Sequence, residues 1–97
     1  MGVQIIKFSS EWCGPCKVMA PIFKKISKMD EFKDIEFIAY DIEEDEKGVE
    51  LVEEFHIRNV PTIIIVGKNG EPIRKIIGLV QEQELINIIK DSIQYEL

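Results

Sequence analysis

The run Thr62–Val66 (TIIIV), standing directly behind Pro61, limits the possible folds more than any other stretch of this chain. Its residues are apolar or β-branched with no polar alternation, which suits a strand covered on both faces. Such a strand needs neighbouring strands beside it and helices above and below, and the rest of the chain supplies candidates for each. Val3–Ser9 (VQIIKFS) is another short β-branched run. From about Gly14 onward Val18, Met19, Ile22, Phe23, Ile26 and Met29 recur at helical spacing, and Pro21, which lacks the N–H for its turn, predicts a kink. Ile35–Ile42 (IEFIAYDI) reads as a strand, and Glu46–His56 as a helix with Val49, Leu51, Val52 and Phe55 on its apolar side. Asn69-Gly70 is a hairpin signal that pairs Pro72–Ile77 with Thr62–Val66, and Pro72 is tolerable only at a strand start or a sheet edge. Glu82–Tyr95 closes the chain as a helix with Leu85, Ile86, Ile89 and Ile93 inward.

The order is βαβαββα. Read as two right-handed βαβ crossovers, it makes the first three strands parallel and adds an antiparallel hairpin at the end. The expected fold class is α/β: a four-stranded mixed sheet with three helices spread over both faces, forming one domain over residues 1–97.

Charge excludes some functions. Twelve Lys and Arg against eighteen Asp and Glu give a net charge of −6, which is no footprint for nucleic acid. Asp41 to Glu54 holds eight carboxylates and one lysine. That run reads as a solvated helix face and loop, or as a patch that repels acidic partners and steers basic ones. No apolar run reaches the roughly 18 residues of a membrane-spanning helix. Met1–Ser10 lacks the basic start and apolar stretch of a signal peptide. The expectation is a soluble, cytoplasmic monomer without membrane contact.

The chemistry gathers in EWCGPCK, residues 11 to 17, which contains both cysteines of the chain. A stabilising disulfide encloses a long loop, whereas Cys13 and Cys16 would close a very small ring. A zinc site usually takes four protein ligands, and beyond this pair the chain offers a single histidine, His56, read as an exposed helix-end residue. A working dithiol fits better. Cys13 follows a strand and stands at the mouth of a helix, where unpaired N–H groups and the positive end of the dipole favour thiolate. A free cysteine titrates near about 8.5, and sites of this kind fall to roughly 3.5–7.5. Cys16 lies one turn along the same face, within disulfide reach. Pro15 suits the first helical turn and stiffens it. On this reading Cys13 is the attacking nucleophile, exposed at the tip, and Cys16, deeper along the helix, resolves the mixed disulfide.

Trp12-Cys13-Gly14-Pro15-Cys16-Lys17 resembles, without a gap, the active-site motif of thioredoxins. Ile57-Arg58-Asn59-Val60-Pro61-Thr62 is similar to the loop before that family's third core strand, and the resemblance runs from about Val3 to Ile93. It implies a dithiol–disulfide oxidoreductase that reduces protein disulfides. Its only redox group would be the reversible Cys13–Cys16 disulfide, with no bound cofactor and no metal. A thioredoxin reductase would supply electrons, and disulfide-containing client proteins would receive them. The implied substrate-binding residues are Trp12, Gly14, Pro15, Val60, Pro61 and Gly78. In the family the proline matching Pro61 has a cis peptide bond and lies against the dithiol. The backbone of Val60 would pair with an extended substrate segment, and Gly78, flanked by Ile77 and Leu79, would let it approach. Two alternatives stand beside this reading: a glutaredoxin-like enzyme recycled by glutathione, and a thioredoxin-fold binding subunit of a larger assembly.

The chain departs from the family pattern in two places. Only eleven residues precede Trp12, too few for the usual N-terminal strand and helix, which leaves a trimmed core like that of glutaredoxins. Six residues before Cys13, where thioredoxins usually carry a buried aspartate that helps deprotonate the second cysteine, stands Lys7. The lysine that usually neighbours that aspartate is matched by Ala39. Either Lys7 snorkels to solvent beside the motif helix, or it sits near Cys16 and tunes it, as a neutral base or as a charge that favours thiolate.

Overall fold

The structure, a computed structural model, describes residues 2–96. Among the described residues the elements are β1 (Gln4–Ser9), α1 (Gly14–Ser27), a short 3₁₀ turn (Asp30–Phe32), β2 (Glu36–Asp41), α2 (Glu46–Glu54), β3 (Thr62–Val66), β4 (Pro72–Ile77) and α3 (Glu82–Gln94). The strands form one sheet in the order β2-β1-β3-β4. The two runs without polar alternation take the centre: β3 is buried throughout, and β1 is buried over its four middle residues. The edge strands β2 and β4 are partly exposed, and Pro72, with no N–H to offer, opens the edge strand β4.

Side chains alternate across the two central strands. Ile5, Ile63 and Ile65 face α1 and α3, where they meet Met19, Phe23, Ile26, Leu85 and Ile89. Ile6, Phe8, Ile64 and Val66 face the other way, onto Leu51 of α2. Each fully buried Ile, Leu or Phe contributes about 1.5–3 kcal/mol relative to exposure, so the sheet is held from both sides.

Strand direction differs from the expectation. β1 and β2 are parallel, with Lys7 opposite Ala39, but β3 runs antiparallel to β1, with Thr62 opposite Phe8 and Lys7 opposite Ile63. The second helical connection is therefore not a parallel crossover. At nine residues, α2 is about 14 Å long. It covers the sheet face, and β3 begins beside the end of β1. That reversal delivers Pro61 to the corner where β1 becomes α1.

Helix faces also sharpened on folding. The buried stripe of α1 is Cys16, Met19, Phe23 and Ile26, so Val18, about 100° around from Met19, is exposed. Val49 of α2 is likewise exposed, while Leu51 is buried. Pro21 lies inside α1, which continues to Ser27. α2 stops at Glu54, and His56 has φ 55°, a left-handed residue just past the helix end, exposed as expected. The Asn69-Gly70 signal lies within a longer loop closed by the Gly67 N–H on the Glu71 carbonyl (2.8 Å), and the ladder slips between Ile65 and Val66. Gly48 sits where α2 meets β2: a Cβ there would lie 2.8 Å from the Asp41 carbonyl oxygen and 2.9 Å from the Tyr40 Cβ.

Candidate active site

Cys13 is the N-cap of α1, with extended backbone (φ −93°, ψ 110°), and Pro15 stands in the first turn. The corner is pinned by the Cys13 N–H, which donates to the Ser10 carbonyl at 3.3 Å. The Cys16 N–H in turn donates to Cys13 Sγ at 3.2 Å. This bond places a helix N-terminal donor on the sulfur, the arrangement that stabilises a thiolate there. Cys13 and Cys16 are joined as a disulfide with their Cα atoms 5.2 Å apart. Both cysteines are buried, at 7% and 4% exposure. The expected contrast between an exposed tip and a deep partner is thus small, because the Val60–Pro61 loop covers the corner.

That loop comes from the reversed β3. The Val60–Pro61 peptide bond is cis, and the Pro61 side chain is fully buried. The Val60 carbonyl oxygen lies 3.6 Å from Cys13 Sγ. The Gly78 N–H donates to the Pro61 carbonyl at 2.8 Å, so the residue after β4 is tied to the same loop. Gly78 has φ 90°, in the left-handed region that favours glycine. Around this point Trp12 (69% exposed), Ile77 (61%) and Leu79 (54%) present apolar surface. The Trp12 indole N–H donates to Glu43 Oε1 at 2.8 Å. Glu43 belongs to the acidic run, which the sequence reading treated as surface charge and not as support for the site.

Beneath the dithiol the picture is different. Lys7 is only 5% exposed, and its Nζ lies 5.3 Å from the centre of the Phe23 ring. Burial holds its pKa below the ordinary lysine value of 10.5, since an ammonium loses hydration there. Among the described residues no carboxylate forms an ion pair with it. Lys7 and Cys16 line one cleft of about 290 Å³, together with Ser9, Ser10, Glu11 and Asp41. Ser10 carried no sequence signal and Asp41 only that of the acidic run, because what makes them part of the site is the cleft. A cavity of about 320 Å³ at the end of α2, lined by His56, Ile73 and Arg74 among others, does not include the cysteines. Among the described residues no three His, Cys, Asp or Glu side chains are grouped to hold a metal, and no helix is long and apolar enough to cross a membrane.

A dithiol at a strand-to-helix corner, with the Cys16 N–H on its first sulfur and the Val60–Pro61 loop facing it, defines the class: a protein of thiol–disulfide exchange on an α/β sheet. The comparisons agree. The Thioredoxin family profile matches residues 2–91. A thioredoxin of Rickettsia typhi is 40% identical over 90 residues, covering 92% of this chain and 80% of its own length. One of Borreliella burgdorferi is 37% identical over 87 residues, covering 90% and 70%. The crystal structure of a Malassezia sympodialis thioredoxin superposes with a TM-score of 0.80 at 32% identity, over 93% of this chain and 74% of that one. The chain belongs to the thioredoxin family and is a dithiol–disulfide oxidoreductase with Cys13 and Cys16 as its redox pair.

Proposed function

We propose that Cys13 attacks substrate disulfides, that Cys16 resolves the mixed disulfide, and that the protein works as a reductant of protein disulfides. The observation that carries this reading is the setting of Cys13 Sγ, between the Cys16 N–H at 3.2 Å and the Val60 carbonyl at 3.6 Å. The first stabilises a thiolate, and the second marks where an extended substrate backbone can lie beside the sulfur. The Cys13 thiolate attacks one substrate sulfur and the other leaves as a thiolate. Cys16, deprotonated, then attacks Cys13 Sγ and frees the first sulfur, so two electrons pass from the dithiol to the substrate. Trp12, Gly14, Pro15, Val60, Pro61 and Gly78 form the substrate-binding face. Lys7 tunes Cys16 from below, a role supported by the cleft they share and by the burial of the amine.

The electron donor is a thioredoxin reductase and the recipients are disulfide-containing client proteins in the cytoplasm. The test is reduction of insulin disulfides, driven in turn by dithiothreitol, by candidate reductases and by glutathione. Turnover with a reductase supports the reading, and turnover with glutathione alone transfers the protein to the glutaredoxin-like class. Absence of turnover with every donor removes the reductant role. Cys16→Ser should accumulate a Cys13 mixed disulfide with clients, whereas Cys13→Ser should accumulate none.

A further inference from the structure

Ser10 is unexplained by the site as described. It follows β1, its carbonyl holds the Cys13 N–H, and its side chain is 5% exposed. Among the described residues its Oγ is the one buried side-chain polar atom with no hydrogen-bond partner in the protein. A buried hydroxyl without a partner is costly, and such groups in a folded protein call for a reason. The reason lies in its neighbours: Ser10 lines the same cleft as Lys7 and Cys16. Here Cys16 Sγ is bonded to Cys13, so it bears neither a proton nor a charge. On reduction the same sulfur becomes a thiol or thiolate, and a charged acceptor bonds a hydroxyl far more strongly than a neutral one.

We propose that Ser10 Oγ hydrogen-bonds the Cys16 sulfur whenever the disulfide is open, and that Ser10 and Lys7 together form the proton path out of Cys16 through this cleft. The inference rests on the reading of Cys16 as the resolving cysteine. In the mixed disulfide the Cys16 thiol proton passes to Ser10 Oγ. The hydroxyl's own proton passes to Lys7 in its neutral form, the form that burial favours, directly or through a water in the cleft, and Lys7 becomes an ammonium. The electron pair left on Cys16 attacks Cys13 Sγ, the bond from Cys13 to the substrate sulfur breaks, and that sulfur leaves as a thiolate protonated from solvent. Lys7 then returns its proton to water at the cleft mouth. The dithiol is oxidised and the substrate reduced with no further reactant.

The charged groups around the path act in both directions. Glu11 and Asp41 line the cleft and favour the ammonium, while Lys17 and burial favour the neutral amine; Phe23, against the amine, and Ile63 and Ala39, the strand partners of Lys7, carry no charge.

The test follows the resolving step by single-turnover release of a fluorescent client thiol from the reduced protein, as a function of pH. Cys16 and Ser10 are titrated alongside it by Cβ carbon resonances. Ser10→Ala should slow release about tenfold and move its rising limb about one unit to higher pH. Ser10→Thr, which keeps the hydroxyl, should restore both. Lys7→Met should shift the same limb, and the double variant should be little worse than Lys7→Met alone. In the unaltered protein the Ser10 Cβ resonance should follow the Cys16 titration when reduced and stay flat when oxidised, a readout independent of how any variant folds. A limb and Cys16 titration unmoved in Ser10→Ala, or a Ser10 resonance indifferent to Cys16, overturns the relay while leaving the dithiol reading intact. Loss of client reduction in the unaltered protein overturns both.

Discussion

Gly14 and Gly78 flank the dithiol and make a controlled pair. A Cβ built at either one meets nothing within 4 Å, so neither substitution creates a clash. They differ in backbone: Gly14 opens α1, whereas Gly78 has φ 90°. Left-handed backbone costs an L-residue roughly 1–2 kcal/mol. Gly78→Ala should therefore lower stability by about that amount, which for a chain of this size is a fall in Tm of roughly 4–16 °C. Gly14→Ala, in the first helical turn, should be neutral or stabilising by up to about 1 kcal/mol. Function should separate the two further. The added methyl at Gly78 occupies open space beside the Pro61 carbonyl, where the proposed binding mode lays a client backbone. Reduction of a protein disulfide should then fall about tenfold in kcat/KM, or about 1.4 kcal/mol, with a small aromatic disulfide reduced at the normal rate. The assays are thermal melts and paired kinetics on both substrates at a temperature where each variant is folded. If Gly78→Ala melts like Gly14→Ala, the left-handed residue is not what holds the bend. If both substrates slow equally, the groove reasoning is wrong.

Lys7→Met should make the protein more stable at neutral pH, since burial disfavours the charged form that Lys7 carries in the unfolded chain. The folded pKa of Lys7 lies below 10.5, so the unfolded chain binds more protons between the two values and the native protein gains stability as pH rises through that window. Urea titrations should thus show the advantage of the variant fading as pH approaches 10.5, and an advantage constant with pH would contradict the burial argument. Gly48→Ala should cost about 1–3 kcal/mol, because the new methyl meets the Asp41 carbonyl and Tyr40 Cβ; melts should fall while kcat for disulfide reduction stays unchanged. Glu43→Ala removes the acceptor of the Trp12 indole, an exposed bond. It should shift Trp12 fluorescence and reduce client kcat/KM a few-fold with little change in Tm, and an unchanged emission spectrum would show that Glu43 does not hold the ring.

Much of the architecture was legible in the chain. The unbroken apolar runs of β1 and β3 marked the two central strands, and period-3.6 patterns marked three helices whose bounds came out within a residue or two. The N-cap role of Cys13 followed from a strand meeting a helix at that residue, and so did the small separation of the two sulfurs. What failed were properties of faces and directions. Val18 and Val49 are apolar residues on helices, but each lies off the stripe that meets the sheet. The helix pattern gives the angle between residues and not the angle at which the sheet arrives.

The sequence by itself determined which residues can exchange electrons, because two cysteines separated by Gly14 and Pro15 at a helix start can close on each other through local geometry alone. The tertiary structure decided everything that surrounds them. An all-apolar strand such as Thr62–Val66 can complete a hydrogen-bond ladder in either direction, so only the packing of α2 and the central position of β3 set it antiparallel and brought Val60 and Pro61 onto Cys13. Lys7 reads locally as one polar residue in an apolar strand. Only the pairing of β1 with β2 and β3, under α1, buried its amine against Phe23 and in the same cleft as Ser10 and Cys16. Short-range geometry made the dithiol; long-range packing set the environment in which its second sulfur must lose a proton.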